Sequence, residues 1–212
     1  MTNVNFIILS SLQKGRIVMT VRGVVFSALF AALLVVLSFF SLPVGPVPIV
    51  LDNLVVLLAG ALLGPLYGFF SMFLIVVLVG VGVPLLGGHG GLGLLLGPSG
   101  GYVVAWPFAA LLIGLLLPRI KGRGALQYVK GFIWTEIFGV LFVDAVGAPW
   151  LMHVLHLSLA KTLAQGFYIF LPGDTIKAFI ATGIWMAVRK TYPVARLVGR
   201  GGDDVVEAVQ RT

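Results

Sequence analysis

The feature that most constrains this chain is a series of long apolar runs with almost no charge inside them. Several are long enough to span a hydrocarbon core of ~30 Å. At that depth no water is present to satisfy backbone N–H and C=O groups, so such segments are helices. They do not alternate polar with apolar residues, which argues against a β-barrel. Only 10% of the residues are charged, against ~25% in an average soluble domain. The chain therefore reads as an all-α membrane protein whose main solvent is lipid.

Six transmembrane helices are predicted, at about 21–42, 49–63, 66–83, 100–117, 128–146 and 173–191. Residues 1–18 read as an N-terminal extension ahead of an alternative start at Met19. Their apolar run, 6–12, is short, and Lys14 and Arg16 follow it, which is not the order of a signal peptide. Residues 19–192 form the membrane domain and 193–212 a polar tail. The 42–48 stretch holds Pro43, Pro46 and Pro48 and is expected to be a stiff loop. The 87–102 stretch, rich in glycine, is expected to fold as a re-entrant or capping loop. It is not a phosphate-binding loop, because Gly-Lys occurs nowhere in the chain. Residues 150–170 are expected to be an amphipathic surface connector carrying His153, His156 and Lys161.

The formal net charge is +7, but the basic residues fall in short loops, which points to membrane orientation and not to nucleic acid. Lys14, Arg16 and Arg22 precede the first span. Arg119, Lys121, Arg123 and Lys130 lie between the fourth and fifth, and Arg189, Lys190, Arg196, Arg200 and Arg211 lie at the end of the sixth and beyond. Of the 14 Lys and Arg residues only Lys161 and Lys177 fall on the other side. Both termini are thus expected in the cytoplasm. The same orientation brings Asp52, the glycine loop with His89, Tyr102, Asp144 and Asp174 with Lys177 to the outer side, around one polar cavity.

Asp174 and Lys177 are three apart in a helix opened by Pro172 and Gly173, so they share one face. Charges at the mouth of a membrane helix pair with each other, face water or hold a solute. Asp52 is open to a second reading, as an acid stabilised by a helix N-terminus, and Tyr102 and Trp106 to one as interfacial aromatics. Glu136 and Asp144 stand about 80° apart on an ideal helix; Glu136 is expected to bridge helices by a hydrogen bond. Ala28 and Ala32 either pack within the bundle or present a close-approach face to a partner. There are no cysteines, so disulfides and thiolate metal sites are excluded.

Four motifs occur in order: Gly45-Pro46-Val47-Pro48-Ile49; Leu57-Leu58-Ala59-Gly60-Ala61-Leu62-Leu63-Gly64-Pro65; Gly91-Leu92-Gly93 with Leu96-Gly97-Pro98-Ser99-Gly100-Gly101-Tyr102; and Phe170-Leu171-Pro172-Gly173-Asp174 with Ile176-Lys177. Together, over about residues 20–190, they resemble the BioY family, the biotin-binding S components of energy-coupling-factor transporters. The resemblance implies a six-helix S component in a prokaryotic plasma membrane, capturing biotin outside with no catalysis and no cofactor of its own. It would dock on a transmembrane T component driven by two ATPase subunits. It assigns Asp174, Lys177 and Tyr102 to the ligand site, with His89, Asp52, Asn53, Ser99 and Asp144 expected beside them, and Ala28 and Ala32 to docking. Apolar walls are expected from spans three and four. Three positions depart from the family pattern. Val50-Leu51-Asp52 stands where Thr-Leu-Gln is usual, Ser99 replaces Thr, and Asp144 occupies a place expected to be uncharged. The resulting acidity keeps open another acid such as lipoate, or a ligand with a positive group. A nickel or cobalt S component, using His89, His153, His156 and the aspartates, is the less favoured reading. An intramembrane enzyme using Glu136, Asp144 or a histidine, or a purely structural protein, has less support.

Overall fold

The computed structural model describes residues 20–43, 46–122, 124–191 and 198. The expected extension at 1–18, nearly all of the tail, Gly45, and the basic residues Lys14, Arg16, Arg123, Arg196, Arg200 and Arg211 lie outside the described residues.

Helix α1 (Val21–Ser38) begins at Thr20, whose Oγ1 accepts the Gly23 N–H at 3.1 Å and so caps the helix. The Thr20 N–H donates to the Tyr67 hydroxyl oxygen at 2.7 Å. The helix stops four residues short of the expected end at 42. Strand β1 (Ser41–Leu42) then pairs antiparallel with β2 (Ile49–Val50), so a small hairpin stands where only a loop was expected. Proline at 43, 46 and 48 bars a helix and favours extended backbone, which suits two short strands. Ser38 ties the end of α1 to the start of the glycine-rich segment. Its Oγ lies 3.1 Å from the Leu85 carbonyl and accepts the Gly87 N–H at 3.0 Å.

Helix α2 (Asp52–Gly80) is broken at Gly64, whose φ of 78° and ψ of −174° lie outside the helical region and favour glycine. The chain reverses there. A Cβ added to Gly68 would lie 2.9 Å from the Ala59 carbonyl oxygen and 3.0 Å from the Gly60 Cα. On an uninterrupted helix residues eight or nine apart would be about 12–14 Å apart along the axis. Residues 52–63 and 65–80 are therefore two arms packed side by side, the turn that Gly64-Pro65 led us to expect. The 52–63 arm is enclosed almost all round, with Val55, Val56, Leu57 and Ala59 fully buried. Its shortness reflects that central position. It meets α4 (Gly100–Leu116) so closely that a Cβ on Gly60 would sit 2.5 Å from the Ala110 carbonyl oxygen.

Between them, the glycine-rich segment turns through a Leu86–His89 bridge into the short helix α3 (Leu92–Leu95). After α4 come a 3-10 turn (Leu117–Arg119), α5 (Gly124–Thr135), a π-helical segment (Glu136–Leu141) and α6 (Phe142–Leu155). The last three run on as one long helix, nine residues beyond the expected end at 146. Trp150 thus belongs to α6, not to a connector, and its indole N–H donates to the Gly97 carbonyl at 2.9 Å. The π-helical segment also invalidates the ~80° separation of Glu136 and Asp144, which assumed 3.6 residues per turn throughout. The connector is only α7 (Leu159–Leu163) and a second π-helical segment (Ala164–Tyr168). His156, with φ of 51°, caps α6, and His153 is exposed.

Helix α8 (Leu171–Thr191) starts at Leu171, with Pro172 in the first turn, where a missing N–H costs no helical bond. A polar seam joins it to the long helix. Thr175 Oγ1 donates to Glu136 Oε1 at 2.7 Å, and the Tyr128 hydroxyl donates to the Phe179 carbonyl at 2.8 Å. Glu136 bridges helices in this arrangement, as its depth in the span suggested. Apolar side chains such as Leu29, Phe73, Phe108 and Phe179 point outward and are exposed. Among the described residues four helical stretches, Val21–Ser38, Asp52–Gly80, Gly100–Arg119 and Gly124–Leu155, are long and apolar enough to cross a membrane. A lipid environment accounts for that exterior.

The close approach of the two α2 arms carries a testable cost. Gly68→Val places a branched side chain against the Ala59 carbonyl. It is expected to destabilise the protein by about 1–3 kcal/mol, seen as a lower thermal midpoint in detergent. An unchanged midpoint would show that the arms do not meet there.

Candidate ligand-binding site

One end of the bundle encloses a cavity of about 660 Å³, within the range usual for small-molecule sites. Each wall has a different origin. The proline hairpin supplies Val47 and Pro48, the glycine-rich segment Leu86 and His89, and α3 supplies Leu94. Helix α4 contributes Tyr102, Val103 and Trp106, α6 contributes Val143 and Asp144, and Phe170 lies just ahead of α8. Asp52 and Asn53, in the first turn of α2, also line the cavity, as do Asp174 and Lys177 in the first turns of α8.

Lys177 ties two of these elements together. Its Nζ lies 2.6 Å from Asp174 Oδ1 on the same helix and donates to the Val50 carbonyl of β2 at 2.5 Å. Both charged residues are buried. The i, i+3 spacing makes the pair possible on a helix, and the low polarity around it makes an unpaired partner expensive. Tyr102 is also committed. Its hydroxyl donates to the Gly166 carbonyl at 2.5 Å, and its ring meets Phe170 edge to face with centroids 5.7 Å apart. The Gly166 carbonyl belongs to the second π-helical segment, whose altered hydrogen-bond register is compatible with an outside donor.

Of the lining residues, Asp52 Oδ1, Asn53 Oδ1 and Asp144 Oδ2 are buried atoms with no hydrogen-bond partner among the described residues. Asp52 and Asp144 are 3% and 1% exposed, so water reaches them poorly. Buried oxygens of this kind are normally hydrogen-bonded. A wall that is mostly apolar, with a few polar residues and one ammonium, is suited to a small, partly polar solute.

All eight residues anticipated at a ligand site (Asp52, Asn53, His89, Ser99, Tyr102, Asp144, Asp174 and Lys177) line this one cavity. Asp52 lies in the first turn of α2 and faces the cavity as well, so its two readings are compatible. Tyr102 and Trp106 are buried lining residues and not interfacial aromatics. The expected apolar walls need correction. Span four provides Val103 and Trp106, but the 65–80 arm provides no lining residue; the hairpin, the glycine-rich segment and Phe170 take its place. Ser38, Ser41, Val143 and Phe170 were not anticipated, and only Phe170, in the Pro-Gly-Asp motif, carried a signal. His153 and His156 do not line the cavity. Among the described residues, no three of His, Cys, Asp or Glu are grouped so as to hold a metal ion. Ala28 and Ala32 are exposed on α1, whereas Ser27 and Ala31 beside them face inward. The reading of Ala28 and Ala32 as packing inside the bundle therefore fails for this chain on its own.

Residues 10–194 match the model of the BioY family. The chain is 40% identical over 174 residues to the biotin transporter BioY of Lactococcus lactis subsp. cremoris, covering 80% of this chain and 92% of that protein. It is 37% identical over 183 residues to the biotin transporter BioY of Rhizobium etli, covering 83% and 97%. Among solved structures it resembles the S-component for biotin from an ECF-type ABC transporter, with a TM-score of 0.77 and 38% identity over 84% of this chain and 96% of that one. A family match over most of the chain, relatives matched over nearly their whole length, and a shared fold lead to one conclusion: this chain is a membrane protein of the BioY family.

Proposed function

We propose that this chain is the substrate-capture S component of an energy-coupling-factor importer and that its ligand is biotin. The observation that carries the reading is one cavity whose lining brings the Asp174–Lys177 pair together with Asp52, Asn53 and Asp144 among apolar walls. Biotin offers a ureido ring with two N–H donors and a carbonyl, and an apolar thiophane ring. Asp174, Asp52 and Asp144 are acceptors for such N–H groups, and Lys177 is a donor for the carbonyl. Val103, Trp106 and Phe170 are apolar surfaces for the ring system. His89, Asn53, Ser99 and Tyr102 complete the proposed lining. The ligand leaves unchanged, so the chain is not an enzyme.

In this reading residues 19–192 form the binding domain. The two arms of α2 count as separate spans and α8 as the last, giving six transmembrane helices. The bias of Lys and Arg supports cytoplasmic termini and a cavity open to the outside. ATP is used by two partner ATPases, acting through a transmembrane T component. The T component docks on the exposed small-residue face of α1 at Ala28 and Ala32.

Mass spectrometry of the small molecule that copurifies from cells tests the ligand; a different molecule at stoichiometric level would overturn biotin. Asp174→Ala and Lys177→Ala are each expected to weaken biotin binding at least about tenfold, since charge-assisted hydrogen bonds contribute roughly 1.5–3 kcal/mol. Calorimetry checks this, and unchanged affinity in both variants would remove the pair from the site. Ala28→Trp or Ala32→Trp is expected to abolish uptake by the complete transporter while binding by the isolated chain persists. Normal uptake in both would discard the docking face.

A further inference from the structure

The cavity lining divides by exposure. Asp52, Asp144, Asp174 and Lys177 are buried and belong to its inner part, whereas Ser41, Pro43, His89 and Gly93 are exposed and form a rim. Of the titratable lining residues only His89 is exposed. The backbone fixes its direction. Leu86, Gly87, Gly88 and His89 make a two-residue hairpin turn, with φ of 57° and 81° at the glycines, the left-handed values that the tightest hairpin turns require. Leu86 and His89 exchange main-chain N–H to carbonyl bonds of 3.0 and 2.9 Å, and the Gly87 N–H donates to Ser38 Oγ at 3.0 Å. Residues paired directly across such a turn send their side chains to the same face. Leu86 is buried and lines the cavity, so His89, which lines it too, stands beside Leu86 at the rim.

An imidazole carries at least one N–H donor in either protonation state, and a carboxylate only accepts. Burying a carboxylate is costly unless it gains a partner. The ammonium in the inner part is already held, by Asp174 Oδ1 at 2.6 Å and by the Val50 carbonyl at 2.5 Å. A ureido ring carries no charge and avoids that cost. Resting on the biotin reading above, the geometry points to His89 as the residue that takes the tail carboxylate at the rim, with the ureido ring inward beside Asp174 and Lys177. His89 therefore sets the preference for a carboxylate on the tail, and the inner part sets the preference for the ring.

The test is calorimetric binding of two ligands to the purified full chain in lipid nanodiscs, unaltered and as His89→Ala. The ligands are biotin and biotinol, the alcohol with CH2OH in place of the carboxylate. The unaltered chain is expected to prefer biotin. His89→Ala is expected to lower the biotin-to-biotinol affinity ratio about fivefold, the size of one hydrogen bond to a charged group at an exposed site. The turn is held by main-chain bonds, which the substitution keeps. A merely structural effect would weaken both ligands alike and leave the ratio where it was. A ratio that falls by less than about twofold overturns the inference, as does equal affinity of the unaltered chain for the two ligands. In either case biotin binding, and with it the proposed function, still stands. Failure of biotin to bind the unaltered chain would remove the proposed function and this inference together.

Discussion

The site depends on one ion pair placed where a membrane protein tolerates it least. Asp174 and Lys177 sit in the first turns of α8, and Lys177 also reaches the carbonyl of Val50. In lipid such charges have no water to fall back on, so their neighbours must be arranged around them. The pair holds the start of α8 against the proline hairpin. That contact fixes where Asp52 and Asn53, two and three residues past Val50, enter the cavity. Losing either charge would leave the other buried and alone, a costly state. The pair is thus both part of the proposed binding surface and a brace for the wall opposite.

The bundle tolerates this polar end because its middle is tightly closed. Gly60 against Ala110, and Gly68 against the Ala59 carbonyl, bring backbones closer than any side chain permits. In a membrane, where apolar side chains gain little by leaving lipid for one another, such close backbone packing is a main source of helix association. The 52–63 arm is consequently surrounded by the other elements. A central, closely packed arm carrying Asp52 and Asn53 at its start presents those groups in a defined position.

Two π-helical segments adjust the rest. The 136–141 segment changes the register of the long helix between Glu136 and Asp144. Glu136 faces Thr175 on α8, and Asp144 faces the cavity. The 164–168 segment offers the Gly166 carbonyl to Tyr102. Each departure from 3.6 residues per turn places a polar group where a regular helix would not. No pattern in 136–141 announced this; Glu-Ile-Phe-Gly-Val-Leu reads as ordinary apolar helix. The hairpin escaped notice for a related reason, since two-residue strands are too short to show a period.

Much of the site was legible because charge is so rare in this chain. A carboxylate or ammonium in an apolar run is conspicuous, and its energetic cost predicts that it turns inward; Asp52, Asp144, Asp174 and Lys177 could be picked out on that ground alone. The Gly64-Pro65 turn was legible from local chemistry, as was the barrier to helix at Pro43, Pro46 and Pro48. These are properties of single residues and of spacing, and the amino-acid sequence determines them by itself. Only the tertiary structure decided which apolar residues wall the cavity, that the 65–80 arm is not among them, and that Ala28 and Ala32 face outward while Ser27 and Ala31 face in. In a chain apolar on nearly every side, the pattern along a helix does not distinguish lipid from protein. That distinction arises only when the helices meet.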